Sequence, residues 1–395
     1  MQAVILSFDS LAANSLGCYG NVWIETPHWD RLATAGVVFD RHFADTVGPH
    51  SGMAWANGQH ALTPANPSTP TSVGHGLRSS GVATKLIVAG ELQTWQRHAE
   101  FDEIRTVEGK NEPGAKPDEV PVAKLVQAGL SAWNEDSFAK VPRLLWLHAP
   151  PPGHPPEGFD SLYFEDFEER GQQISELSDE ARAEHPAVYA GSVSLLDHWL
   201  GELLAGIEAV GSDQPTLIIV MAAKGYLWHP TTGSAKSDLQ NPRLSLSDQC
   251  IRAPLVLKID RDDRYRDFSC LRTNRLVQTC DLVPTLLDWF GVAPIIPQPL
   301  LAGQSWLREL TEEVAPRSRL QIVDEGCLDA VRTADWLCVR DRFLESVPDL
   351  STSNPASRVS LFVKPEDIWD VNDVASQQPE VISELLEHET SENRS

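Results

Sequence analysis

The sequence predicts an α/β protein built on a large, mostly parallel sheet flanked by helices. Two observations carry that expectation. Three runs, at 4–8, 143–148 and 216–221, are apolar over the length of a strand with little alternation, the pattern of strands buried on both faces of a parallel sheet. Between them, 122–133 and 189–204 carry apolar residues at helical spacing, and strands that alternate with helices specify a parallel sheet.

Val4-Ile5-Leu6-Ser7-Phe8 is the opening strand. It delivers Asp9 to a sheet end, where open α/β sheets bind ligands. Val37-Val38-Phe39 is a second short strand. Val47-Gly48-Pro49-His50-Ser51-Gly52 reads as a loop leading into a short helix that ends near Gly58, and N–H groups at a helix start face whatever anion sits there. The Pro, Ser and Thr residues of 63–70 form loop, 81–88 is a turn and then a strand, and 110–119 is a polar surface loop. A composition shift near Pro316 divides the chain into a large domain, 1–315, and a smaller C-terminal α+β subdomain, 316–390, with a short antiparallel sheet. In the latter, 331–339 reads as a strand and 379–388 as a helix, before a polar tail at 391–395.

A chain of 395 residues can bury a core of that size. Its formal charge of −24 excludes nonspecific nucleic-acid binding, which needs a Lys/Arg surplus to neutralise phosphates. The six cysteines show neither CxxC spacing nor a His/Cys cluster, so they read as buried reduced thiols. No apolar run reaches membrane length, and the first strand begins close behind Met1, which leaves no room for a signal peptide. The expectation is a cytoplasmic protein without membrane contact.

Asp9-Ser10, Leu16-Gly17-Cys18-Tyr19-Gly20 and Thr26-Pro27-His28-Trp29-Asp30-Arg31-Leu32-Ala33-Thr34-Ala35-Gly36-Val37-Val38-Phe39 resemble the N-terminal signature of the sulfatase family, within the alkaline phosphatase superfamily. The likeness continues in order through the helix around Asp197, Arg252-Ala253-Pro254-Leu255, the 280–292 run and Gly303-Gln304-Ser305-Trp306-Leu307 to the terminal segments. It implies an alkaline phosphatase/sulfatase-like sandwich with a small C-terminal subdomain. It also implies a reaction in which a divalent cation, usually calcium, holds the ester oxygens and the nucleophile. A modified Cys or Ser attacks, and Arg, Lys and His stabilise the transition state.

At the positions the resemblance marks, this chain departs. Aligned on Asn57-Gly58, Gly48 stands at the nucleophile and Gly52 at the arginine. Asp9 is the retained metal ligand, while Ser10 replaces the second aspartate. After the 216–221 strand, Ala223 replaces an aspartate and Lys224 a His or Asn. Calcium takes roughly six to eight oxygen ligands, anionic ones among them. Two unit charges 4 Å apart repel by about 4 kcal/mol at an effective dielectric of 20, and a divalent ion doubles that. Lys224 is therefore expected to fill the vacated cation site and pair with Asp9.

Other groups that the resemblance implies for substrate binding persist. His148 and His154 stand for the family's strand-end histidines, His229 for the His of its "GEHG" element, and Lys236 lies near its substrate lysine. With Lys224 they would make a small basic pocket for an anion. Ser51 and Thr46 are the nearest hydroxyls, with His50 as a base. Ser51 also reads as a helix cap or first-turn hydroxyl, His50 as a loop residue and Asp9 as an ordinary strand-end carboxylate. The candidate catalytic residues are Ser51, His50, His229 and Lys236; the candidate ligand-binding residues are His148, His154 and Lys224. The expected function is that of a degenerate sulfatase that lacks the family hydrolysis, needs no cofactor, and binds an anionic ligand or a protein partner. The alternative is a sulfuric or phosphoric ester hydrolase with a rebuilt site using Ser51 or Thr46, and calcium or magnesium.

Overall fold

The structure, a computed structural model, describes residues 1–48, 50–63, 72–111, 115–156, 158–159, 161–169, 185–229, 233–234, 242–265, 268–293, 303–342 and 359–392. Its strands in chain order are β1 (Gln2–Ser10), β2 (Val37–Phe39), β3 (His42–Phe43), β4 (Ala83–Ala89), β5 (Glu103–Val107), β6 (Arg143–Ala149), β7 (Thr216–Lys224) and β8 (Trp228–His229). They continue with β9 (Gly233–Ser234), β10 (Leu255–Asp260), β11 (Leu271–Thr273), β12 (Val277–Gln278), β13 (Arg319–Val323), β14 (Leu328–Thr333), β15 (Trp336–Asp341) and β16 (Val359–Val363).

The main sheet has eight strands in the order β11-β2-β10-β7-β1-β6-β4-β5. It is parallel except at β10, which runs antiparallel to both β7 and β2. β1 lies inside it, with Ser7 opposite His148 of β6 and Ser10 opposite Lys224 of β7. Successive side chains of a strand point to opposite faces, and β1 shows why its run is unbroken. Val4, Leu6 and Phe8 join the core beneath the helices Pro121–Trp133 and Pro186–Ala209. Ala3 and Ile5 join the other core, with Trp55, Trp146 and the helix Leu282–Phe290. The carboxyl ends of β1, β6 and β7 thus bring Asp9, His148 and Lys224 to one edge.

The helix Pro27–Ala35 starts on a carboxylate from elsewhere. The N–H groups of His28 and Trp29 donate to Asp197 Oδ1 at 3.0 and 2.8 Å, which satisfies two of the free donors of a helix start. That buried aspartate is the one the resemblance singled out in the long helix.

β13 to β16 form a separate antiparallel sheet. The expected strand at 331–339 is two strands, β14 and β15, joined by a tight turn in which the Trp336 N–H donates to Thr333 Oγ1 at 3.0 Å. The C-terminal helix, Pro379–Glu392, runs further than expected; residues 393–395 of the expected tail, and most of the expected 63–70 loop, lie outside the described residues. The second sheet docks through Arg317, whose guanidinium donates twice to the fully buried Asp281, both bonds at 2.6 Å. Cys280 and Cys338 are buried, Cys18 and Cys250 half-buried, and Cys270 and Cys327 exposed, so the expectation of buried thiols holds in full for the first two alone. Among the described residues no helix is long and apolar enough to cross a membrane.

Candidate functional site

Asp9 is held by neutral groups. Its Oδ1 accepts from Gln93 Nε2 at 3.2 Å, and the Gln93 Oε1 accepts from Trp95 Nε1 at 2.9 Å. Lys224 does not pair with it. The Lys224 ammonium donates to the Val47 carbonyl at 3.1 Å, and among the described residues no ion pair joins Lys224 to Asp9. The expectation of a lysine in the cation site is corrected accordingly: the ammonium is drawn to the loop that carries Gly48.

That loop is stitched to the second sheet. Thr46 bridges Val323 in parallel fashion, the Val47 N–H donates to Val323 O at 3.1 Å, and the Val323 N–H donates to Asp45 O at 3.2 Å. The stitch brings the β13–β14 turn over Thr46, Gly48 and His50. Asp324 fixes this turn by accepting from the Gly326 and Leu328 N–H groups at 2.8 and 3.0 Å, and Glu325 takes a left-handed conformation, φ 62°. The Glu325 carboxylate enters the loop. Oε1 accepts from Thr46 Oγ1 at 3.0 Å and from the His50 N–H at 2.9 Å, while Oε2 faces His50 Nδ1. An added Cβ at Gly48 would lie 2.6 Å from Glu325 Cδ and 2.8 Å from Oε1. The space that a side chain at residue 48 would take is filled by a carboxylate from the β13–β14 turn.

The arginine position is closed in a second way. Gly52 has φ +93°, which disfavours any side chain, and an added Cβ would lie 2.9 Å from Trp95 Cδ1. Ser51 is buried and lies two residues ahead of the helix Met53–Asn57, whose N-cap is Gly52 with no side-chain cap. The cap and first-turn reading of Ser51 is therefore corrected. Among the described residues no hydrogen bond joins Ser51 to His50. In the order Thr46–Glu325–His50 the carboxylate stands between hydroxyl and imidazole. A nucleophile relay needs the imidazole in the middle.

His148 is buried at 2% exposure, edge-on to Trp55 and Trp95 with ring centroids 5.9 and 5.2 Å away. Burial pushes its pKa down to about 4, so it carries no charge at neutral pH. Its Nδ1 lies 2.9 Å from Ser7 Oγ, and its Nε2 has no hydrogen-bond partner among the described residues. His154 sits apart, with Nδ1 3.0 Å from Pro155 O. His229 is in β8, but its side chain lies outside the described residues, as does Lys236. The cavity beside His148, of about 320 Å³, also has Gln93, Glu91 and Glu108 in its wall. Its charged wall is acidic, and of the expected basic pocket it includes His148 but not Lys224.

A divalent cation does not fit these residues. Of the two aspartates that the resemblance places after β1 only Asp9 is present, Ala223 offers no donor atom, and Lys224 brings a cation. Among the described residues no group of three or more His, Cys, Asp or Glu could hold a metal. Sequence reasoning missed Glu325, Gln93 and Trp95. The turn residues Asp324-Glu325-Gly326 were the one local signal for the first.

Fold and site together define an alkaline-phosphatase-like scaffold that has, among the described residues, no cluster able to hold a metal. The family model "Sulfatase" matches residues 2–292, and the chain belongs to the sulfatase family. Over 104 residues it is 34% identical to the steryl-sulfatase of Mus musculus, a match spanning 21% of this chain and 16% of that protein. The phosphonate monoester hydrolase of Agrobacterium radiobacter superposes with a TM-score of 0.69 at 17% identity, over 99% of this chain and 95% of that one. The corresponding enzyme of Silicibacter pomeroyi gives 0.69 at 18%, over 100% and 94%. A 2-O GAG sulfatase gives 0.67 at 15%, over 100% and 91%. At these identities the likeness establishes the fold.

Proposed function

We propose that this protein binds an oxyanion-bearing ligand at the former sulfatase site and does not hydrolyse it. The observation that supports this reading is the carboxylate of Glu325 on Thr46 and His50. The loop still gathers hydrogen-bond donors for an oxyanion, while the nucleophile position, Gly48, has no atom to attack with. The reading treats 1–315 as the former catalytic domain and 316–390 as the unit that now supplies a side chain to it. The test is an assay with aryl sulfate, phosphate and phosphonate esters, with calcium or magnesium present. The expected result is no turnover above the blank. Turnover that Ser51→Ala or Thr46→Ala abolishes would establish the rebuilt hydrolase instead. Stabilisation by a sulfated sugar supports the ligand side of the reading. Absence of a shift with any anion would transfer the role to a protein partner.

A further inference from the structure

We propose that Thr46 and His50 form an oxyanion site whose resident occupant is the chain's own Glu325, so that an external oxyanion enters only when the β13–β14 turn yields its place. The inference rests on the binding reading above and adds the regulation of that site.

Three donors from two residues, Thr46 and His50, meet one carboxylate. The Thr46 hydroxyl and the His50 N–H share Oε1, and the His50 ring takes Oε2. Hydrogen bonds to an ionised acceptor are the stronger class, and this arrangement, two donors on one oxygen and one on its neighbour, suits a planar or a tetrahedral oxyanion alike. The missing side chain at Gly48 makes the room. Lys224, held at the Val47 carbonyl, adds a cation beside the loop. The occupant arrives from the other sheet, on a turn whose residues 325–327 are exposed although the Glu325 side chain is only 18% exposed. An exposed turn can withdraw without unfolding a core. A tethered group has an effective concentration in the roughly millimolar range, so a free anion at lower concentration loses the competition.

The experiment measures binding of sulfate and of formate to the full chain by titration calorimetry, at ionic strength matched with chloride. Glu325→Gly empties the site; Glu325→Ala, which also removes the carboxylate, serves if the glycine variant does not fold. The expected result is saturable binding at least about tenfold tighter in either variant than in the wild type, abolished when Thr46→Val and His50→Ala are added. Binding of formate alone assigns a carboxylate ligand, and binding of sulfate as well assigns a tetrahedral one; both support the proposal. Equal affinity in wild type and variants overturns the gate and leaves anion binding standing. No saturable binding in any variant overturns both.

Discussion

A side chain at residue 48 and the carboxylate of Glu325 claim the same space, since an added Cβ on Gly48 would stand 2.6 Å from Glu325 Cδ. In this loop conformation the two are therefore mutually exclusive. The C-terminal sheet, joined to the loop through Thr46 and Val323, delivers the group that occupies the site.

The first prediction follows from that shared space. Gly48→Ser forces Glu325 off Thr46 and His50, and overpacking of this kind costs about 1–3 kcal/mol. Urea unfolding should show a loss of that size, and most of it should vanish in a Glu325→Gly background, since the two positions couple. A serine accepted without cost in the wild-type background would contradict the geometry.

Arg317 ties the second sheet to the first through a buried pair with Asp281. Removing one partner of such a pair leaves a buried charge and costs about 3–5 kcal/mol. Arg317→Met should lower stability by that amount. Arg317 lies just ahead of β13, so the amides of Val47 and Val323 should also exchange faster with solvent. Normal protection there would separate the dock from the loop.

Two buried histidines set a dependence on pH. Burial holds His42 and His148 at about 4, against 6.5 in an unfolded chain. Above 6.5 both states are neutral and the contribution to stability is complete. As pH falls through this window the unfolded chain binds protons and the fold does not, so stability is lost, on the order of 3 kcal/mol for each histidine by pH 4. Carboxylates titrate in the same range. The difference in slope between wild type and His42→Gln, read from urea midpoints between about pH 7 and 4.5, isolates the effect. Identical slopes would mean that His42 charges inside the fold.

Much of the fold is legible in the sequence because its causes are local. β1, β6 and β7 are buried on both faces, so their runs are apolar throughout. The β14–β15 turn escaped notice because Ala334-Asp335 lacks the glycine or asparagine that marks most tight hairpins. At the site, the absences at Gly48, Gly52 and Ala223 can be read residue by residue. The replacements cannot. Glu325 meets Thr46 and His50 across most of the chain, and nothing near either segment announces the contact. Lys224 shows the same limit: its charge is legible, but its partner, a backbone carbonyl, is set by where the loop passes.

The central claim is that this sulfatase-family site has exchanged a metal-assisted nucleophile for groups of its own chain. The most direct test is elemental analysis of the full chain after calcium and magnesium are offered and free ions are removed by mild dialysis. The account predicts no retained divalent ion, because Ala223 and Lys224 supply no ligand and Ser10 stands beside Asp9 in place of a second aspartate. One tightly held ion per chain would contradict it and would make ester hydrolysis the first activity to assay.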